Sequence, residues 1–152
     1  MSRWRAAQTA RSVAHVGDDY LMVVYRSIQA DDYEAVRTFL VDNGWAPRVS
    51  DGERFRAMMD GADRTVVALD GERVVGFARA LCDGASNGYI SMVAVASDLR
   101  RQGIGRRLVE HLMHGDNGDI TWVLRAGRGS RSFWEHLGFI ASDIAMERAR
   151  RS

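Results

Sequence analysis

The chain has 152 residues, 46% apolar and 27% charged, and its 21 basic residues, all arginine, stand against 20 acids for a net charge of +1. This is the make-up of one soluble globular domain, large enough to bury a core without metal or disulfide staples, and the near-neutral balance argues against broad nucleic-acid binding. The lone Cys82 excludes an intrachain disulfide and any zinc site built on several cysteines, and no metal is expected.

No apolar run reaches the length of a membrane span, and no apolar segment follows the N-terminal arginines as in a secretory signal. Together with the cysteine usage, these features point to a cytoplasmic chain away from membranes.

Residues 1–19 are polar, rich in Arg and Ala and weakly patterned, so they read as an extension, either a loose helix or a poorly ordered arm. The domain proper is expected over 20–152. Tyr20–Ile28 is rich in strand-forming residues. Asp31 or Asp32 is a candidate N-cap for a helix carrying Ala35, Val36, Phe39 and Leu40, and Asn43-Gly44 stops it. A loop with Trp45 and Pro47 leads to a short helix around Gly52–Met59.

Two strands flank Asp70-Gly71, a hairpin turn. A second connection at Asp83–Gly88 leads to a third strand, Tyr89–Ala96. The spacing of Ile104, Leu108 and Leu112 predicts a helix. A strand at Asp119–Arg125, a short helix ending at Gly138 and a final strand within Phe139–Ala149 complete the chain. The order is α/β (α+β) with a mixed sheet, and Tyr89–Ala96 should run parallel to Asp119–Arg125 across the intervening helix.

The stretch Asp98–Leu108, DLRRQGIGRRL, holds four arginines and two glycines at the mouth of a helix. Helix N-termini present unpaired N–H groups and partial positive charge, and so attract anions. Gly103 and Gly105 leave the backbone accessible, and Arg100, Arg101, Arg106 and Arg107 add charge. The pattern is a polyphosphate cradle. It is neither a P-loop, lacking Gly-Lys-Ser/Thr, nor a dinucleotide fingerprint, since Leu108 stands where a third glycine is needed.

With its preceding strand, MVAVASDLRRQGIGRRLVEHL resembles the coenzyme-binding motif of the GNAT superfamily of acyl-CoA-dependent N-acetyltransferases, and FWEHLGF at Phe133–Phe139 resembles that family's late helix. The resemblance covers roughly 20–147. It implies a single-domain fold with a central mixed sheet of about six to seven strands, helices on both faces, and parallel strands that splay to hold the coenzyme. It implies acetyl-CoA as donor, with no metal. Val93, Ala94 and Val95 would offer backbone groups to the acetyl and pantetheine portions. Arg100, Arg101, Gln102, Gly103, Ile104, Gly105 and Arg106 would wrap the pyrophosphate, and Ser130 would stand near the pantetheine. It also implies that a homodimer can form.

Trp134 takes the place where many relatives carry a tyrosine acid, yet an indole N–H does not ionise usefully. Tyr89 stands where some relatives carry a glutamate base, and it is a candidate for the acceptor site. The expected chemistry is direct attack by a neutral primary amine, of a small molecule or a peptide, with backbone N–H groups steadying the carbonyl oxygen. Segment 31–63 carries eight acids against four arginines, which suits a cationic acceptor. Two other readings compete: a non-catalytic acyl-CoA sensor, and an acetyltransferase of aminoacyl-tRNA or another macromolecule.

Overall fold

The computed structural model describes residues 9–151, which form a six-stranded sheet in the order β1-β2-β3-β4-β5-β6. The strands are β1 (Ala10–Val16), β2 (Asp19–Arg26), β3 (Arg64–Asp70), β4 (Arg73–Cys82), β5 (Asn87–Val95) and β6 (Thr121–Leu124). Neighbours are antiparallel except β5 and β6, which are parallel as the crossover rule requires. The helices are α1 (Tyr33–Leu40), α2 (Ala46–Val49), α3 (Gly52–Asp60), α4 (Ile104–Leu112) and α5 (Arg131–His136).

The two faces of β4 carry different layers. Gly76 lies beneath α4, where a Cβ would come within 3.0 Å of Leu108 Cδ1 and 3.2 Å of Ile104 Cγ2. Glycine here lets the helix seat directly on the sheet. Ile104, Leu108, Val109 and Leu112 are all buried while Arg106, Arg107 and Glu110 face solvent, so α4 has one apolar side. On the opposite face Arg79 reaches the Met58 carbonyl of α3, and α1 packs on the same strand. A Leu108→Ala change would therefore cost about 2–5 kcal/mol, as for other buried leucines.

Several sequence expectations change. Ala10–Val16, read as part of an extension, is the sheet's edge strand, paired from Ala10↔Tyr25 to Val16↔Asp19. Its small alternating residues suffice because β2 supplies the buried bulk, and Ser12 Oγ bonds the Tyr25 hydroxyl at 2.8 Å. The rest of that extension, residues 1–8, lies outside the described residues. Asp32 is the N-cap residue of α1 as expected, but its side chain does not bond that helix: its carboxylate takes both prongs of Arg26, at 2.6 and 2.9 Å, and the Gln29 N–H at 2.7 Å, closing a capping box on the preceding 3-10 turn.

The predicted stop at Asn43-Gly44 is present, with Gly44 at φ 90°. Pro47, expected in a loop, is the second residue of the short α2, as the first turn of a helix allows. The β3–β4 hairpin closes one residue later than expected, with Asp70 paired to Arg73 and Gly71-Glu72 as the turn.

The final strand is absent from the described residues. Ile140, Ile144 and Met146 are 88%, 86% and 98% exposed. Ser142 Oγ accepts the N–H groups of Ile144 and Ala145, which turns the chain instead of extending it. The Arg125–Glu147 ion pair holds the tail beside the end of β6.

Candidate functional site

The site begins where β5 and β6 part. They pair only from Asn87↔Thr121 to Ile90↔Leu124, yet β5 continues to Val95. At the same point the β4–β5 register shifts, from Arg79↔Met92 to Ala80↔Ile90, which makes Ser91 a bulge. A bulge bends and twists its strand. The result is a slot along the free edge of β5.

Backbone groups line this slot. The Ala96 N–H bonds the Val75 carbonyl at 2.8 Å, so the period of two turns the amides of Ala94 and Met92 toward β4 as well. The N–H and C=O groups of Val93 and Val95 therefore point into the slot. Of the three residues expected there, the buried Ala94 instead serves the sheet.

Beyond Val95 a 3-10 turn, Ser97–Leu99, leads to the arginine-glycine loop. Gly103 caps α4 at φ 81°, no side chain caps the helix, and no acid lies in its first turn. Arg106 and Arg107 occupy that turn instead, where positive charge opposes the helix dipole. Both reach toward Glu110 only loosely, at 3.9 and 3.7 Å. Arg100 and Arg101 are exposed and make no ion pair among the described residues. Arg101 is held at φ 64°, a left-handed conformation that an arginine adopts at a cost of roughly 1–2 kcal/mol. Repelling charges, orphan N–H groups and local strain together fit a bound polyanion.

The remaining predicted residues divide. Ile104 offers only its backbone, since its side chain is core. Gly105 is needed for packing: a Cβ there would come within 3.1 Å of the Phe133 ring and 3.6 Å of Val95 Cγ2. Phe133 thus seats α5 on the inner end of the slot, which the sequence reading did not assign. Gln102 joins Arg11, Ser12, Gly103, Arg106 and Arg107 around an open groove of about 670 Å³ between β1 and α4. Arg11 was missed because its strand was not recognised, although the alternation of small and polar residues from Ala10 to Val16 carried the signal.

Ser130 precedes α5 and donates to the Gly127 carbonyl at 2.7 Å. Trp134 is only 8% exposed and packs edge-to-face on Phe133 and Phe139, at ring separations of 4.9 and 5.3 Å. Tyr89 is half-buried on β5, level with Leu81 and Val123, on the sheet face that α3 shares. Arg79 lies on that face too, donating to Met58 O at 3.2 Å and Ser91 Oγ at 2.6 Å.

A second open groove, of about 600 Å³, lies between α1, the β3–β4 turn and the end of β5. Glu34, Asp42, Glu72 and Asp98 line it against a single cation, Arg73, which Asp98 already pairs at 2.8 Å. Arg73 holds the Asp98 carboxyl below its usual range.

A family model for the acetyltransferase (GNAT) domain matches residues 28–150. Among solved structures, a Deinococcus radiodurans protein described as an acetyltransferase is 22% identical with a TM-score of 0.67, covering 93% of each chain. A Staphylococcus aureus protein of unknown function, described as a probable acetyltransferase, is 20% identical with a TM-score of 0.73, covering 86% of this chain and 99% of its own. An aminoglycoside N-acetyltransferase solved with CoA is 13% identical with a TM-score of 0.65, covering 86% and 95%. At these identities the likeness establishes the fold. No curated protein sequence matches the chain.

Proposed function

The chain belongs to the GNAT acetyltransferase family, and from that premise we propose that it moves an acetyl group from acetyl-CoA to a primary amine by direct attack. The observation that carries this reading is the uncapped, acid-free start of α4, ringed by Arg100, Arg101, Arg106 and Arg107 at the mouth of the β5 slot. Pyrophosphate charge would neutralise the arginines and fill the orphan N–H groups of the first turn. Arg11 and Gln102 extend the cradle toward β1. The outward amides of Val93 and Val95 would pair with the pantetheine arm and donate to the thioester oxygen as charge builds on it.

The acceptor comes from the other face of the sheet. Its C–N bond forms as the C–S bond breaks, and sulfur leaves with the electron pair. Water carries off the proton that the amine sheds. An alkyl thiol has a pKa of about 8.5, so its thiolate departs without obligatory protonation. That suits a chain in which Trp134, buried among aromatics, has no proton to give. The acidic groove at the end of β5 draws protonated amines toward the slot. Tyr89 lines the acceptor side.

The test is calorimetric titration with acetyl-CoA, followed by thiol release across an amine panel. We expect binding in the native protein and at least a tenfold loss in Arg100→Ala/Arg101→Gly, which removes charge where glycine adopts φ 64° freely. No binding by the native protein overturns the reading. Binding without turnover on any amine would favour the second reading, a non-catalytic acyl-CoA sensor, to which the buried Trp134 lends its one observation.

A further inference from the structure

Charged groups in a protein interior are almost always paired. Arg26 obeys this rule, with both prongs on Asp32. Arg79 does not. It is half-buried on β4, and its guanidinium donates only to neutral oxygens, Nε to the Met58 carbonyl at 3.2 Å and Nη1 to Ser91 Oγ at 2.6 Å. No carboxylate among the described residues makes an ion pair with it. Asp63 contributes at longer range, but its Oδ2 already accepts the Cys82 N–H at 2.7 Å.

The two neutral contacts hold the guanidinium plane fixed and leave Nη2 uncommitted. That nitrogen makes no hydrogen bond among the described residues and is not fully buried. Its position is specific. Arg79 pairs with Met92 and bonds the bulge at Ser91, the place where β5 leaves β6 and the slot opens. Tyr89 and Arg79 share the acceptor face.

We infer that Arg79 is a specificity-determining residue that binds a carboxylate on the acceptor, making the acceptor an amino acid or another primary amine with a nearby carboxylate. The inference rests on the amine-acetyltransferase reading above and narrows its substrate class. A fixed, partly desolvated arginine fork suits a planar carboxylate, and charge-assisted bonds of this kind are about twice as strong as neutral ones. Burial pulls the Arg79 pKa down from its ordinary value, but a guanidinium stays charged throughout the working range. The acidic groove lies toward the other end of β4, at Arg73 and Val74, so it acts on the approaching ammonium only at long range, and Arg79 alone holds the carboxylate end beside the slot.

The experiment compares α-, β- and γ-amino acids with their carboxamides as acceptors, reading kcat and KM from thiol release. It uses the native protein, Arg79→Gln and Arg79→Lys, with calorimetry of the same acceptors on CoA-saturated protein. Glutamine keeps a donor for Met58 or Ser91 and removes the charge. We expect the native protein to favour acids over amides by at least tenfold. In Arg79→Gln that preference should vanish through KM, with amide turnover and acetyl-CoA KM changed less than twofold, and Arg79→Lys should recover part of it. Turnover without preference for acids overturns the inference alone, as does an equal loss on acids and amides, which would make Arg79 a brace for the bulge. Turnover on no amine overturns the acetyltransferase reading and the inference with it.

Discussion

Replacing Gly103 by alanine isolates a backbone effect at the head of α4. Nothing lies within 4 Å of a Cβ built at Gly103, so no packing term enters, but φ is 81°. A left-handed conformation costs a residue with a Cβ roughly 1–2 kcal/mol, and for a chain of this size that is a fall in Tm of about 2–8 °C. Alanine also stiffens the unfolded chain, which offsets the loss by about 0.4–1 kcal/mol where the conformation is compatible. Strain at 81° leaves a net destabilisation of about 1 kcal/mol. Gly103→Asn should recover much of it, because asparagine tolerates this region.

Urea unfolding of the two variants gives the stabilities, and acetyl-CoA calorimetry follows the cradle. Gly105→Ala is the companion. It gains about 1 kcal/mol of helix propensity but presses its Cβ to 3.1 Å from Phe133, so stability should change little while the inner slot shifts. If Gly103→Ala is as stable as the native protein, or asparagine is no better than alanine, the loop does not depend on the left-handed turn and this account of it is wrong.

Other expectations concern the rest of the molecule. In Gly88→Ala a Cβ would clash with the Trp122 ring, which would have to shift and strain its 2.8 Å bond to Asp116; about 1–3 kcal/mol of destabilisation and a red-shifted tryptophan emission should result. Burial holds the His111 pKa below its usual value, with its ring stacked 5.3 Å from Tyr25. The unfolded chain then takes up that proton first, so stability is full above about pH 6.5 and declines as pH falls toward the folded value. A flat profile there, or the same slope in His111→Gln, would count against it. The Asp32 pKa is lowered chiefly by its bond to Arg26, so a second decline should begin below about pH 4 and be absent in Asp32→Asn, which itself should cost about 1.5–3 kcal/mol. Acetyl-CoA affinity should fall steeply with added salt if the arginine cradle carries it, and salt-insensitive binding would contradict that role.

Local patterns were legible because a short stretch carries its own physics. The periodicity of Ile104, Leu108 and Leu112 requires a helix with one apolar side, and the arginines and glycines before it describe an anion cradle on that helix whatever surrounds it. The parallel pairing of β5 and β6 follows from chirality once a helix joins them. The sequence alone thus determined the fold class, the family resemblance and the basic, glycine-bearing start of α4.

What the tertiary structure decided depends on partners remote in sequence. Ala10–Val16 becomes a strand only because β2 lies beside it, and the tail does not extend as one where Ser142 Oγ accepts the Ile144 and Ala145 N–H groups and turns the chain. Gly105 looks like ligand access until Phe133, 28 residues later, fills the space above it. Arg79 reads as one more surface arginine among many until a bulge at Ser91 and a carbonyl on α3 pin it, uncompensated, beside the slot. Charge compensation and close packing are properties of neighbours in space, and no local stretch of chain specifies them.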